Sequence, residues 1–264
     1  MAGRLSFDGG ADAYDRLVGR WSRLWVPSLV QAAALRPGDR VLDVAAGTGA
    51  ATLAALPAVG RAGRVHAADI SVPMLRVAQA ATASARMAAA DAQALPYRDG
   101  VFDAGLCQLG LMFFPDLGRG LAEIHRVLRP GGRFAACVWA QAERVPFFGG
   151  LAEALSRQRP EQRAVFGLQF SLGEPDRLAS ALASAGFRDA RVTRESRPVA
   201  FASFAEYIEP VAAGAGRLGH GYRELDDTGR AAADEHLRQL FAPFTRADGA
   251  IHMAAEMLVA SAHT

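Results

Sequence analysis

The run Val41-Leu-Asp-Val-Ala-Ala-Gly-Thr-Gly49 limits the possible folds more than any other stretch of the chain. Arg40 to Val44 reads as a short buried strand that ends in Gly-x-Gly, and Ala50 to Ala58 then reads as a helix. A strand that meets a glycine turn and then a helix is the building unit of open α/β sheets. Glycine lets the backbone N–H groups of such a turn approach a ligand with no Cβ in the way. Ligands of these sheets bind beyond the C-terminal strand ends, where this turn lies.

The rest of the chain repeats the alternation. Further strands are expected at 64–68, 86–90, 101–108, 133–139, 190–201 and 251–260, the last with an ambiguous period. Helices are expected at 72–85, 117–128, 174–185, 204–213 and 228–244. Pro130-Gly131-Gly132 stops the helix before the fifth strand, and a Gly-rich link runs from Gly214 to Gly221. The organisation expected is one domain over 1–264. Residues 1–36 form a helical cover, 37–140 a cofactor-binding core and 141–264 an acceptor-side half. That half holds an insertion at 141–173 and the final strands, with helices within 202–246. The fold class is α/β: a Rossmann-like, doubly wound, seven-stranded, mostly parallel sheet with an N-terminal helical cover and an inserted lid.

Composition removes whole classes of chemistry. The chain has no lysine and no asparagine, so all 29 basic residues are arginine. A Lys Schiff base, a P-loop lysine and N-linked glycosylation are thereby excluded. Net charge is +2 and the arginines are scattered, which does not suggest a nucleic-acid partner. Cys107 and Cys137 lie in apolar stretches without metal-ligand spacing and read as free buried thiols of a cytoplasmic protein. No apolar run is long enough to span a bilayer.

Three carboxylates fall at successive strand ends: Asp43 before the turn, Asp69 about 20 residues beyond it, and Asp91 after the third strand. Each alone suits a strand-end or helix cap. Together they mark the rim of one crevice, with Asp69 placed for ribose hydroxyls. The third small position of a dinucleotide fingerprint would be Thr52, whereas counting from Ala45 gives A-x-G-x-G with Asp43 two places earlier. A carboxylate there repels a pyrophosphate and suits a ligand bearing an ammonium group. The pattern favours S-adenosylmethionine over NAD.

At this point the chain resembles the class I S-adenosylmethionine-dependent methyltransferases, in particular their UbiE/COQ5-like small-molecule group. Asp43 to Gly49 is similar to their first motif, with Ala45 in place of the commoner glycine, which slightly narrows the floor of the site. His66-Ala-Ala-Asp-Ile-Ser71, Ala90-Asp-Ala-Gln-Ala-Leu-Pro96 and Arg126-Val-Leu-Arg-Pro-Gly-Gly132 resemble later motifs, and the match covers roughly Tyr14 to Trp139. The resemblance implies that Gly47 and Gly49 approach the methionine part and that Asp43 serves its amino group. It implies that Asp69 binds the ribose and that Ile70 or Met74 packs beside the adenine. Asp91, Ala92 and Gln93 belong to the adenine-reading segment, and Gln108 faces both donor and acceptor. Arg20 or Arg23, in the cover, pairs with the cofactor's carboxylate or lies on a solvated helix face.

For the acceptor the expectation is a small aromatic, heterocyclic or polyketide-like metabolite, methylated on oxygen, nitrogen or carbon without a metal ion. Its pocket is expected from Tyr14, Trp21, Leu109, Met112, Phe113, Trp139, Phe147, Phe170 and Tyr207, although large aromatic residues are equally at home in a core. His66 reads as structural and His125 as solvated. His220 is the first choice for a general base. A monomer or homodimer is expected. Competing readings are a S-adenosylmethionine-binding protein without transfer, a cyclase on the same fold, and an NAD-dependent oxidoreductase.

Overall fold

The computed structural model describes residues 14–82 and 84–264; the expected cover residues 1–13 lie outside the described residues. The strands are β1 (Arg40–Val44), β2 (Arg64–Asp69), β3 (Arg86–Ala89), β4 (Phe102–Gln108), β5 (Leu128–Trp139), β6 (Arg188–Phe201) and β7 (Ile251–His263). They form one sheet in the order β3-β2-β1-β4-β5-β7-β6. Strands β1 to β5 pair in parallel, and β7 runs antiparallel between β5 and β6. Val41, Leu42, Asp43 and Val44 are all buried. A parallel strand covered by helices on both faces needs apolar residues throughout, which is why β1 shows no alternation.

The chain order reverses between β1 and β4: β2 and β3 step to one side, and β5 lies beyond β4 on the other. That switch point opens a crevice at the C-terminal strand ends. The helices are α1 (Val26–Ala32), α2 (Ala50–Val59), α3 (Val72–Ala81), α4 (Leu117–Val127), α5 (Pro146–Gln158), α6 (Arg163–Gly167), α7 (Pro175–Ser184), α8 (Phe204–Ala212), α9 (Gly216–Arg223) and α10 (Asp227–Phe241). Side-chain caps fix several starts: Asp116 accepts from the Arg119 amide at 2.9 Å and Asp226 from the Gly229 amide at 2.7 Å. Each such cap stabilises its helix by about 1 kcal/mol.

Several expectations change. Strand β5 begins at Leu128, which pairs with Phe102, and the register shifts before Arg133 meets Ala104. Pro130-Gly131-Gly132 is therefore an irregularity inside the strand, with Gly131 at φ 70°, rather than its preface. The stretch read as a link from Gly214 to Gly221 contains helix α9, because Leu218 and Tyr222 bury on one face four residues apart. The insertion at 141–173 holds α5 and α6, and Phe147, Phe148, Leu151 and Leu155 of α5 are buried. The ambiguous last segment is a strand to His263, paired on both sides.

At the opposite end of the sheet, Arg133 and Asp39 form a buried ion pair at 2.6 Å, and Arg133 also donates to the Ala34 carbonyl at 2.7 Å. This ties β5 to the chain entering β1. Among the described residues, no helix is long and apolar enough to cross a membrane.

Candidate functional site

The glycine turn after β1 is built on a buried acid. Asp43 is fully buried and its Oδ2 accepts from Thr52 Oγ1 at 2.6 Å. Its Oδ1 is buried with no hydrogen-bond partner. Burial raises the Asp43 pKa to about 7, with the nearby Asp69 charge adding to the rise and the Thr52 hydrogen bond opposing it. Above the acid the chain passes through Ala45 at φ 57°, Gly47 at φ 54° and Gly49 at φ 88°. A Cβ on Gly49 would lie 2.9 Å from the Ala78 Cβ, so this glycine lets α2 and α3 approach. A Cβ on Gly47 would meet nothing within 4 Å, so the space over this residue is open.

The neighbouring strand ends supply the other acids. Asp69 accepts from the Gly47 amide at 2.8 Å and from the Ser71 amide at 2.8 Å. One carboxylate thus braces the turn from β2. Ile70, the next residue, is 60% exposed, whereas Met74 is buried in α3. Ile70 therefore offers the open apolar surface beside the crevice, and Met74 packs into the protein. Asp91 is exposed and accepts from the Gln93 amide at 2.8 Å, which folds Asp91-Ala92-Gln93 into a tight turn. Arg126 fixes the segment that follows by donating to the carbonyls of Leu95 and Tyr97 at 3.1 and 2.8 Å, and it pairs with Glu123 and Asp99.

A cover lies across this rim. Residues Asp15–Gly19 form a π-helical turn. Asp15 pairs with Arg23 at 2.5 Å and accepts from the Thr48 hydroxyl of the glycine turn at 3.3 Å. The Tyr14 pKa is raised by burial and by the charges of Asp69 and Asp15, so this phenol stays neutral beside both acids. Gln108, at the end of β4, donates to the Ser22 carbonyl at 2.8 Å. The same glutamine expected to face donor and acceptor also pins the cover. Arg23 stands next to the turn. Arg20 instead pairs with Glu206 of α8 at 2.6 Å and stacks on Trp21, 4.4 Å from the ring centroid.

The acceptor side departs further from expectation. Leu109 sits at φ 56° directly after β4, and both Leu109 and Met112 are buried. Phe113 and Phe170 are partly buried against the core. Trp139, Phe147 and Tyr207, expected in the pocket, belong to a closed aromatic core. Phe147 packs on Phe148 with centroids 4.3 Å apart, and the Tyr207 hydroxyl donates to the Phe147 carbonyl at 2.7 Å. Trp139 lies edge-on to Trp25, and Trp21 edge-on to Phe201. The reason is size: the largest apolar side chains fill the gap between the sheet and the helices packed on it.

The histidines separate in the same way. His66 packs edge-on against Tyr97 and Phe102 inside the sheet's flank. His125, expected in solvent, stacks edge-on against Phe187 at 5.1 Å. His220 is half-buried on α9, one turn after Arg217. Cys107 and Cys137 are free and buried, and burial pushes both thiols up.

Sequence reasoning missed Asp15, Thr48 and Ser22, which join cover to crevice, and the role of Thr52 as partner of Asp43. Only Thr52 had a signal, since it occupies the third fingerprint position. Among the described residues, no group of three or more His, Cys, Asp or Glu is placed to share a metal ion. The crevice has an open glycine and two further acids at its rim, and an orphaned carboxylate oxygen lies buried beneath the turn. That donor set fits a ligand with an ammonium group and a ribose, and it does not favour a pyrophosphate.

Comparison with known proteins agrees with this geometry. A family model of the methyltransferase domain matches residues 42–136. A demethylmenaquinone methyltransferase from Mycolicibacterium vanbaalenii is 35% identical over 201 residues, covering 70% of this chain and 86% of that relative. An uncharacterized Mycobacterium tuberculosis protein is 39% identical over 138 residues, and there the chain spans about half the relative's length, 48%. The YcgJ protein of Bacillus subtilis shares the fold, with a TM-score of 0.61 at 17% identity over 90% of this chain and 97% of that one.

Proposed function

Since the chain belongs to the class I S-adenosylmethionine-dependent methyltransferases, we propose that it methylates a small aromatic, heterocyclic or polyketide-like metabolite on oxygen, nitrogen or carbon, without a metal ion. The observation that carries the reading is Asp43: a fully buried acid under the glycine turn with one oxygen left unpartnered. A buried polar atom without a partner costs on the order of 1–3 kcal/mol, and a ligand ammonium removes that cost.

S-adenosylmethionine, when bound, supplies a methyl group already activated on a sulfonium. The protein then has to align the acceptor, exclude water and, for some acceptors, hold a proton. Asp43 receives the ammonium group, and Gly47 leaves the backbone open beside it. Asp69 turns from the Gly47 and Ser71 amides to the ribose hydroxyls. Asp91, Ala92 and Gln93 read the adenine, with Ile70 against its face. Arg23 meets the cofactor's carboxylate by releasing Asp15; Arg20, committed to Glu206 on the surface, does not. Gln108 holds Ser22 and so keeps the cover over the reacting groups. Leu109, Met112, Phe113, Phe170 and Tyr14 wall the acceptor, while Trp21 packs with the aromatic core through Phe201. Half-buried His220 takes the acceptor proton.

The demethylmenaquinone methyltransferase relative supports a small-molecule acceptor and leaves its identity open. Calorimetric titration with S-adenosylhomocysteine, followed by mass spectrometry of a metabolite mixture incubated with deuteriomethyl donor, tests the reading. Saturable binding and a labelled product are expected. Binding of NADH with no affinity for S-adenosylhomocysteine would overturn the cofactor assignment. Turnover that needs added Mg²⁺ after chelation would overturn metal independence. Unchanged turnover of His220→Ala across pH would remove the general base.

A further inference from the structure

Helix α9 carries a cation that has no counter-ion among the described residues. Arg217 is half-buried, and among the described residues it makes no hydrogen bond and no ion pair; its Nε is buried without a partner. Its guanidinium lies 5.9 Å from the centroid of Phe113, in the turn that follows β4. The start of the same helix touches the cover: a Cβ on Gly216 would sit 3.7 Å from the Tyr14 ring. Tyr14 in turn lies close enough to Asp69 to feel its charge. Arg217 therefore stands on the acceptor side of the crevice, with the donor-side acids beyond Tyr14.

A buried guanidinium edge is costly to keep unpaired, and burial here depresses the pKa with no carboxylate among the described residues acting against it. The edge formed by Nε and one terminal nitrogen is the fork that grips a planar oxyanion with two parallel hydrogen bonds. The face of Phe113 lies within cation–π range of the same guanidinium, an aromatic surface beside the anion fork. His220 lies three residues on, on the same helix face. One helix thus presents an anion anchor and a proton acceptor side by side.

Resting on the methyltransferase reading above, we propose that Arg217 is a specificity residue that anchors a carboxylate on the acceptor, so that the substrate is an acidic aromatic or heterocyclic metabolite. The cofactor carries a carboxylate of its own, and the test separates the two sources.

Matched pairs of hydroxybenzoates and hydroxynaphthoates with their carboxamides are titrated into the protein, with and without saturating S-adenosylhomocysteine. S-adenosylhomocysteine itself is titrated separately. The acids are expected to bind about tenfold or more tightly than the amides. Arg217→Gln should abolish that preference while S-adenosylhomocysteine affinity stays unchanged and the unfolding midpoint does not fall, because a costly unpaired buried charge is removed. Arg217→Lys should keep part of it, because charge remains and the fork is lost. Equal binding of acid and amide, no binding of either, or a preference that survives Arg217→Gln overturns the proposal. Weakened S-adenosylhomocysteine binding in Arg217→Gln without an acid preference in the wild type gives the guanidinium to the cofactor and also overturns it. If S-adenosylhomocysteine fails to bind, the cofactor reading fails, and the acid preference is still read in its absence.

Discussion

Asp43→Asn should make the protein more stable and a poorer binder, by an amount that depends on pH. The folded carboxyl keeps its proton up to about pH 7, against an ordinary value of 3.8. A raised folded-state pKa means that the folded protein binds the proton more tightly than the unfolded chain does. The stability this group lends is complete below about pH 4, declines as pH rises towards 7, and is gone above it. Asparagine stays neutral throughout and keeps an oxygen for the Thr52 hydroxyl. Between pH 5 and pH 8 the wild type loses two pKa units' worth of proton binding at this site, about 3 kcal/mol. Groups that do not sense the Asp43 charge cancel when the variant is compared with the wild type; Asp69, whose charge adds to the rise, is the coupled neighbour.

Denaturant unfolding of both proteins at pH 5 and pH 8 measures this. The variant should gain about 3 kcal/mol more, relative to wild type, at pH 8 than at pH 5. Calorimetry at pH 8 should show S-adenosylhomocysteine binding weakened at least about tenfold, since a charge-assisted contact to the ammonium is lost. An equal stability change at both pH values would show that Asp43 is ionised in the fold at pH 5. Unchanged ligand affinity would place the ammonium elsewhere.

Other substitutions separate packing from binding. Gly49→Ala meets Ala78 at 2.9 Å and a φ of 88°, so it should cost about 3 kcal/mol by chemical denaturation. Gly47→Ala has room and should cost only about 1 kcal/mol, yet weaken S-adenosylhomocysteine binding at least about tenfold by filling the open side of the turn. Arg126→Met removes the ties to Leu95 and Tyr97 and should speed hydrogen exchange of residues 91–97, with a loss of about 2 kcal/mol; unchanged exchange would mean the segment holds itself. Tyr207→Phe should lower stability by about 1 kcal/mol through the lost bond to the Phe147 carbonyl and leave the acceptor KM unaltered. A raised KM would return Tyr207 to the pocket.

The donor half was legible because its chemistry is local. Strand β1, the glycine turn and α2 are contiguous, and Asp69 and Asp91 follow from strand ends that short apolar runs reveal. The acceptor half was not, because its contacts cross long stretches of chain. Phe147 and Tyr207 are 60 residues apart and share one hydrogen bond. No pattern in either segment distinguishes a closed aromatic core from an open aromatic pocket. The helical cover was expected, but its anchor to the turn eluded reading for a similar reason: Asp15 meets Thr48 across 33 residues. Helix α9 was hidden by its three glycines, which weaken helical propensity while tertiary packing of Leu218 and Tyr222 holds the segment.

Ala45 shows how a local departure from the family pattern is absorbed. It takes a left-handed φ of 57°, which costs an L-residue about 1 kcal/mol that glycine would avoid. Its methyl points towards Gly110, where an added Cβ would lie only 2.5 Å away and 2.8 Å from the Cys107 sulfur. The two positions share room for one methyl group, and here it sits on the β1 side. The expected narrowing of the ligand floor thus falls at the junction of β1 and β4, and the open side over Gly47 is left clear. Leu109, also left-handed, precedes Gly110, so the backbone turn that leaves β4 rests against Ala45 at the end of β1. A larger side chain at Ala45 would press first on Gly110, so the two adjacent strand ends of β1 and β4 are coupled through this one methyl group.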